Sequence, residues 1–222
     1  MVIQALFITA TDTGVGKTFF SAKIIQDLID SGTYKKEEIV YYKPIQCGQE
    51  VTEAGLQTDF SYIHDTTGVD VYNSYFLKAP ASPHYAAELE GVTISLDKIA
   101  EDFQALKAKY SFVLVEGAGG IAVPLNKCNL VSDLVARLDL PLVIVTRPDL
   151  GTINHSLITI GHSLKKKLKI LGLLVSEPSA DGSGYSVSDS EFLAKQRENS
   201  IQTICEMMGV KSLQVNEIKG LQ

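Results

Sequence analysis

A glycine-rich stretch that ends in Lys17 and Thr18 is the part of the sequence best suited to chemistry. It reads TDTGVGKT from Thr11 to Thr18, follows the apolar run Val2–Thr9 and opens a helical pattern. Glycines let backbone N–H groups turn toward phosphate oxygens, and a helix N-terminus adds a positive field. A lysine here can reach the β- and γ-phosphates, while the threonine hydroxyl can bind Mg²⁺. The stretch therefore predicts a phosphate-binding loop. The alternative is a plain turn, since Thr11 stands where the usual spacing has glycine.

Three charged side chains are placed to join this loop. Lys43 follows the predicted strand Glu38–Tyr42, and Glu116 follows the predicted strand Phe112–Val115. The carboxyl ends of parallel strands meet at one edge of a sheet, where ligands gather. A lysine there can neutralise phosphoryl or carboxylate charge, and the carboxylates of Glu116 and Asp59 can bind Mg²⁺. The alternatives are a solvated lysine, a turn after the strand at Glu116, and a helix cap at Asp59.

The elements that must position these residues alternate between strands and helices. Strands are predicted at Val2–Thr9, Glu38–Tyr42, Phe112–Val115, Leu140–Thr146, Ile170–Ser176 and Leu213–Val215. Helices are predicted at Thr18–Asp30, Gly55–Thr66, Ser95–Lys109, Leu130–Leu138, Thr152–Leu168 and Ser188–Met208. Several of the strands are continuous apolar runs, which suit parallel strands covered on both faces. We therefore expect an α/β fold in three layers, with a doubly wound, mostly parallel sheet of the P-loop NTPase type, as a single domain over residues 1–222.

Composition limits the classes of function. The 222 residues are 45% hydrophobic and 21% charged, with a net charge of −6, so a nucleic-acid-binding surface is not expected. No apolar run is long enough to span a membrane, and Met1–Ala10 is predicted to be a first strand rather than a signal peptide. The three cysteines (Cys47, Cys128 and Cys205) lack metal-ligand spacing and suit reduced thiols in the cytoplasm.

Three shorter segments have ordinary structural interpretations. Ser82-Pro83-His84 is predicted to start a helix at Ala81–Pro83, with contacts to a substrate as the alternative. The Gly182–Ser186 stretch is predicted to be a flexible loop within the domain. The basic run Lys165–Lys169 lies at a predicted helix end, where positive charge is favourable, so a solvated face is expected.

Six motifs, taken in order, resemble the dethiobiotin synthetase family of P-loop enzymes. They are Thr11–Thr18, Tyr42-Lys43-Pro44-Ile45, Thr58-Asp59, Ser82-Pro83-His84, Val115–Gly120 and Leu150–His155. The resemblance implies that ATP, Mg²⁺, CO₂ or bicarbonate and 7,8-diaminononanoate are used to close a cyclic urea. A carbamate forms on one amine, ATP converts it to a carbamic–phosphoric anhydride, and the second amine expels phosphate. The resemblance also implies a homodimer whose substrate site lies at the subunit interface.

The resemblance assigns roles to residues of this chain. Lys17 and Lys43 correspond to the catalytic cations. The nucleotide-binding positions are Thr13, Gly14, Val15, Gly16, Lys17, Thr18, Glu116, Gly119 and Ser176. The substrate-binding positions are Thr13, Lys43, Cys47, Pro83, Leu150, Gly151 and Asn154, with Asn154 reaching the carboxylate of the diamine bound to the partner subunit. The metal positions are Thr18, Asp59 and Glu116.

The chain also departs from the family pattern. Cys47 stands where many relatives have a substrate-contacting serine, and a thiol is the weaker donor. Gly14 stands where some relatives have glutamate, and Ser176 where many have an asparagine that reads adenine, so strict ATP preference is not expected. Two alternatives differ in class: a ParA- or MinD-like switch ATPase, and a nucleotide-binding module without turnover. Neither gives a role to Lys43, Asp59 and Glu116 together.

Overall fold

The computed structural model of the chain describes residues 3–48, 50–52, 55–176 and 190–220. The strands are β1 Ala5–Ala10, β2 Ile39–Tyr42, β3 Ile45–Cys47, β4 Glu50–Thr52, β5 Gly55–Gln57, β6 Asp70–Tyr72, β7 Tyr75–Leu77, β8 Phe112–Gly120, β9 Leu142–Thr146 and β10 Ile170–Val175. The α-helices are α1 Lys17–Asp30, α2 Asp59–Thr67, α3 Pro83–Leu89, α4 Leu96–Lys109, α5 Val131–Leu138, α6 Thr152–Lys165 and α7 Ser190–Met208. Short 3₁₀ helices cover Lys36–Glu38 and Val215–Gly220.

Six strands form one parallel sheet in the order β10-β9-β1-β8-β2-β6. Every strand pair in it is parallel, so the carboxyl ends of all six strands lie along one edge. Strands β3 and β7 form a separate parallel pair, and β4 and β5 an antiparallel one. The order reverses around β1, which opens a crevice at the strand ends. The doubly wound, mostly parallel α/β fold predicted above is confirmed.

Apolar side chains cover both faces of this sheet. Along β1, Phe7 packs in one hydrophobic cluster, while Leu6 and Ile8 pack in the other. Alternate residues of a strand point to opposite faces, so a central strand needs apolar residues at every position. The continuous apolar runs of the sequence are explained in this way. Among the described residues, no helix combines the length and the apolar character needed to cross a membrane.

The strand predicted at Leu213–Val215 is wrong. This segment touches the sheet at one point, an isolated parallel bridge between Ser212 and Leu173 in β10. The Leu213 N–H then donates to the Leu173 carbonyl at 2.7 Å, and from Val215 the chain winds into a 3₁₀ helix. Leu213 and Val215 alternate with the polar Gln214, and such a short alternation can bury Leu213 without continuing a ladder, which the sequence pattern does not distinguish.

The helix predicted at Gly55–Thr66 begins four residues later, at Asp59. Thr58 is the N-cap: its hydroxyl accepts a hydrogen bond from the Ser61 N–H at 3.2 Å, and the Ser61 hydroxyl accepts from the Thr58 N–H at 2.9 Å. Such a reciprocal pair fixes a helix start. The residues before it, Gly55–Gln57, form β5 instead. The predicted start of a helix at Pro83 is confirmed, with Ser82 at the N-cap.

The sequence patterns missed five short strands: β3, β4, β5, β6 and β7. Each has three residues, too few to establish an alternating pattern. The predicted loop Gly182–Ser186 and the first two residues of the predicted helix Ser188–Met208 lie outside the described residues.

Candidate active site

The glycine-rich stretch forms the turn between β1 and α1. Gly16 has φ 107°, in the left-handed region that side chains disfavour, and it is the N-cap residue of α1. The helix begins at Lys17, whose side chain is buried and whose Nζ lies 3.4 Å from the Asp12 carbonyl. The Lys17 ammonium therefore lies across the mouth of the loop. The strand, the turn and the helix that the phosphate-loop interpretation requires are all present.

A second lysine joins the loop to two carboxylates. The Lys43 Nζ lies 3.1 Å from Glu116 Oε1 and forms an ion pair with Asp59 as well. The Thr18 hydroxyl lies 2.5 Å from Asp59 Oδ1 and 3.0 Å from Glu116 Oε1. The end of β2, the first turns of α1 and α2, and β8 thus bring four predicted site residues into contact. The solvated-lysine, helix-cap and turn alternatives for Lys43, Asp59 and Glu116 are wrong: Lys43 is buried, Thr58 is the cap, and Glu116 lies within β8.

Ser21 is part of this cluster and was missed in the sequence. Its hydroxyl donates to Glu116 Oε2 at 2.7 Å, and both side chains are fully buried. Ser21 follows Thr18 by three residues, so the two hydroxyls share one face of α1. That spacing is the signal that could have found it. Ser21 and Lys43 together satisfy a carboxylate that would otherwise be costly to bury.

The charges of Lys43 and Asp59 stabilise each other. Burial by itself would lower the pKa of Lys43, but the carboxylates of Glu116 and Asp59 raise it above its usual value. Burial by itself would raise the pKa of Asp59, and the attraction of Lys43, with its hydrogen bond, holds it below its usual value. Both groups are therefore charged at neutral pH.

The buried charge of Lys17 is not balanced by nearby carboxylates to the extent that the charge of Lys43 is. Burial lowers its pKa below the usual value, with Glu116 opposing the change and Lys43 adding to it. A buried ammonium that is short of negative charge attracts an anion. Lys17 is therefore the cation in the cluster with the most to gain from a phosphate.

A cleft of about 820 Å³ opens over this cluster at the carboxyl edge of the sheet. Most of the predicted site residues line it, namely Thr13, Gly14, Gly16, Lys17, Thr18, Lys43, Cys47, Asp59, Pro83, Glu116 and Gly119. Its size suits a nucleotide together with a small second substrate.

Five predicted site residues do not line this cleft. Val15 is buried in the core beneath the loop. Ser176 lies beside the loop: if Gly16 carried a side chain, its first carbon would lie 3.7 Å from the Cβ of Ser176. Leu150, Gly151 and Asn154 lie at the start of α6 and are exposed on the surface. The last three therefore do not form part of the cleft wall within one subunit.

Cys47 lies in the wall of the cleft at the end of β3. Burial raises the pKa of its thiol to about 11, although Lys43 opposes the change. The thiol is therefore protonated at neutral pH and is available as a weak donor rather than as a nucleophile.

The donor set fits Mg²⁺. The described residues contain no group of three or more histidine, cysteine or acidic side chains that could enclose a metal ion by themselves. Asp59, Glu116 and Thr18 instead offer two carboxylates and a hydroxyl at the phosphate loop. Mg²⁺ is typically held by one or two carboxylates, with water and substrate phosphates completing the shell.

Arg147 is a further cation at the loop that the sequence patterns did not reveal. It follows β9, and its Nη2 donates to the Gly14 carbonyl at 2.5 Å. In a planar peptide unit, the carbonyl of Gly14 and the N–H of Val15 point in opposite directions. By holding the carbonyl, Arg147 fixes the direction of an N–H in the phosphate loop.

We expect Arg147→Ala to weaken MgADP binding by roughly tenfold, the scale of one charge-assisted hydrogen bond. The loss follows because the Gly14–Val15 peptide would be free to turn. Isothermal titration calorimetry would measure it, with Arg137→Ala as the control, since Arg137 pairs with Asp97 at the surface. Equal MgADP affinity in the two variants would contradict the expectation.

Comparison with known proteins identifies relatives over most of the chain. A family model described as an AAA domain matches residues 4–216. The ATP-dependent dethiobiotin synthetase BioD of Anoxybacillus flavithermus is 38% identical over 213 residues, covering 94% of this chain and 89% of that protein. The enzyme of the same name from Methanococcus aeolicus is 43% identical over 173 residues, covering 77% and 78%.

Solved structures show a more distant likeness. The MinD cell division protein of Aquifex aeolicus aligns with a TM-score of 0.53 at 14% identity, over 97% of this chain and 87% of that one. The MinC:MinD complex of the same organism gives a TM-score of 0.51 at 15% identity, over 94% and 79%. Identities this low establish the fold alone, so they do not favour a switch ATPase over the function of the much closer relatives.

Proposed function

The chain belongs to the family of ATP-dependent dethiobiotin synthetases, and we propose that its cleft is where 7,8-diaminononanoate, CO₂ and ATP react to form dethiobiotin. The observation that carries this proposal is the contact of Lys43 with Asp59 and Glu116 beside the phosphate loop. A phosphate loop by itself serves any NTPase. A buried lysine at the next strand end adds a cation for a second, anionic reactant.

The first steps require two anions, the carbamate and the triphosphate of ATP, to approach each other. One amine of the diamine attacks CO₂ and loses a proton, which gives a carbamate. A carbamate oxygen then attacks the γ-phosphorus, and the bond to ADP breaks. Lys17 would hold the γ-phosphate, and Lys43, directly after β2, would hold the carbamate. Both ammonium groups are largely buried, so their fields are weakly screened.

The final step closes the ring. The second amine attacks the carbonyl of the carbamic–phosphoric anhydride, loses a proton, and expels inorganic phosphate. Lys17 and Lys43 remain beside the departing phosphate and stabilise its charge. In the proposed arrangement, Thr18, Asp59 and Glu116 hold Mg²⁺, which would neutralise charge on the β- and γ-phosphate oxygens.

Phosphate release tests the proposal against a switch ATPase. Purified protein would be given MgATP and bicarbonate, with and without 7,8-diaminononanoate, and the products would be separated by mass spectrometry. We expect phosphate release to depend on the diamine and dethiobiotin to appear in equal amount. Release that ignores the diamine would support a ParA- or MinD-like ATPase, and binding of MgATP with no release would support a module without turnover.

We propose that the active enzyme is a homodimer in the cytoplasm, with Asn154 completing the site of the other subunit. Asn154 lies outside its own cleft, near the exposed apolar side chains Leu150 and Ile158. An exposed apolar surface next to a polar residue suits a subunit interface. The free cysteines Cys47, Cys128 and Cys205 are compatible with a reducing compartment.

Mixing two inactive variants tests the shared site. Lys43→Ala and Asn154→Ala dimers would be partly dissociated, mixed and allowed to exchange subunits. If each site uses Lys43 from one subunit and Asn154 from the other, we expect activity to recover to about one quarter of wild type, because half of the dimers are mixed and each has one intact site. Sedimentation would establish the oligomeric state. No recovery in a dimer that exchanges subunits would place both residues in a site of one subunit.

A further inference from the structure

Gln46, in the wall of the cleft, has a polar atom without a partner. It lies in the middle of β3, three residues after Lys43, and is only 5% exposed. Its Nε2 donates to the Gly48 carbonyl at 3.0 Å and lies 3.4 Å from the Cys47 carbonyl. A carbonyl oxygen can accept a hydrogen bond but cannot donate one. The side-chain group that faces these two carbonyls is therefore the amide nitrogen of Gln46, not its oxygen. Its Oε1 therefore points away from them and has no hydrogen-bond partner.

A buried acceptor without a partner is rare in proteins because it loses its hydrogen bond to water and gains none in return. In the described part of the chain, three buried side-chain oxygens have no hydrogen-bond partner; they belong to Thr9, Tyr41 and Gln46. Gln46 is the one of these three residues that lines the cleft. Its unmet acceptor is therefore close to where a ligand can supply a donor.

The strand that carries Gln46 is held firmly in place. Strand β3 pairs with β7, with Gln46 opposite Phe76, and the Gly48 N–H donates to the Leu77 carbonyl at 2.9 Å. The amide itself is anchored by the hydrogen bond from Nε2 to the Gly48 carbonyl, and it is buried in the wall of the cleft. The oxygen can meet a ligand by a small turn of the amide plane, since the last torsion of a glutamine is soft.

The chemistry of the reactants identifies the donor. CO₂ has no N–H or O–H group, and the ionised phosphates of ATP offer only acceptors. The hydrogen-bond donors of ATP, its ribose hydroxyls and adenine amine, lie at the other end of the nucleotide from the γ-phosphate expected near Lys43. Both amines of the diamine carry N–H groups, and Lys43, on the same wall, is the residue expected to hold the carbamate made from one of them. This step rests on the proposed function, because it takes the cleft to be the diamine site.

We propose that Gln46 is a substrate-recognition residue whose Oε1 accepts a hydrogen bond from one amine of the diamine. The contact holds that nitrogen beside Lys43 while its partner amine reacts. It also selects a diamine over an analogue that lacks this N–H, because such an analogue would leave the acceptor unmet.

The experiment compares wild type with Gln46→Met, which keeps the length of the side chain and removes both the Oε1 acceptor and the Nε2 donor to Gly48. At saturating MgATP and bicarbonate, we expect the KM for the diamine to rise about tenfold, the scale of one hydrogen bond to a charged group, with the KM for ATP within about twofold. Gln46→Glu loses the same donor to the Gly48 carbonyl but retains an acceptor, so it controls for the lost donor, and its KM for the diamine should be clearly lower than that of Gln46→Met. Gln202→Met, on the exposed face of α7, controls for the change of residue type.

Two monoamine analogues separate recognition from a structural role. The 7-amino and 8-amino nonanoates would be tested as competitive inhibitors of wild type and Gln46→Met. We expect the substitution to weaken one analogue about tenfold and to leave the other unchanged, because only one carries the amine that Gln46 holds. Equal weakening of both, an unchanged KM in Gln46→Met, or a Gln46→Glu variant as impaired as Gln46→Met would each overturn the proposal. A wild type that ignores the diamine would instead overturn the proposed function.

Discussion

Lys43→Ala is expected to reduce diamine-dependent turnover by about 10²–10³-fold, the loss typical of one preorganised charged group. The variant loses the cation that would draw the carbamate toward the γ-phosphate. Lys17 and the backbone of the loop remain, so the affinity for MgATP should change by only a few-fold. Steady-state kinetics and nucleotide titration would measure the two effects separately.

The Lys43 variant needs two controls. Removing Lys43 leaves Asp59 and Glu116 buried beside each other without their counter-ion, which destabilises the fold. Thermal unfolding with and without MgATP would show how far this effect extends. Lys98→Ala removes a lysine whose ion pair with Asp102 lies at the surface, and turnover should not change. Wild-type turnover in Lys43→Ala would remove Lys43 from the mechanism.

Glu116→Gln is expected to lower kcat/KM by about 10²-fold and to raise the Mg²⁺ concentration for half-maximal activity by at least about tenfold. The amide keeps the shape of the side chain but lacks the charge that a divalent cation and Lys43 both require. Mg²⁺ titrations at fixed ATP would measure the second effect.

The control for this variant is Glu88→Gln, an exposed glutamate on α3, for which the Mg²⁺ dependence should be that of wild type. Because Glu116 and Lys43 are in contact, the double variant should lose less than the product of the two single losses. Strictly multiplicative losses, or an unchanged Mg²⁺ dependence in Glu116→Gln, would argue against a shared role.

The central part of the fold follows directly from the sequence. Strands β1 and β9 are buried along their whole length, and β8 and β10 along most or the middle of theirs, so their apolar runs are nearly continuous and their positions could be predicted. Lys17, Lys43 and Glu116 were predictable for a related reason. Lys43 and Glu116 each directly follow an apolar run, Lys17 closes the loop after β1, and parallel strands place their ends on one edge.

The short elements could not be predicted in this way. A strand of three residues, such as β3 or β6, forms because a partner strand is present, and its own residues carry no periodic signal. Leu213–Val215 shows the opposite error: the chain bridges to β10 at Ser212, just before this segment, and continues as a 3₁₀ helix from Val215. The start of α2 was misjudged because the capping pair of Thr58 and Ser61 outweighed the apolar spacing before it.

The sequence by itself determined the phosphate loop, the parallel sheet and the charged residues at the strand ends, because these depend on local residue type and on periodicity. Only the tertiary structure decided which groups touch: Ser21 on Glu116, Arg147 on the loop carbonyl, and Gln46 with its unmet oxygen. Such contacts join residues far apart in the chain, or depend on the absence of a neighbour. Burial and hydrogen bonding are properties of the packed chain, so no local pattern carries them.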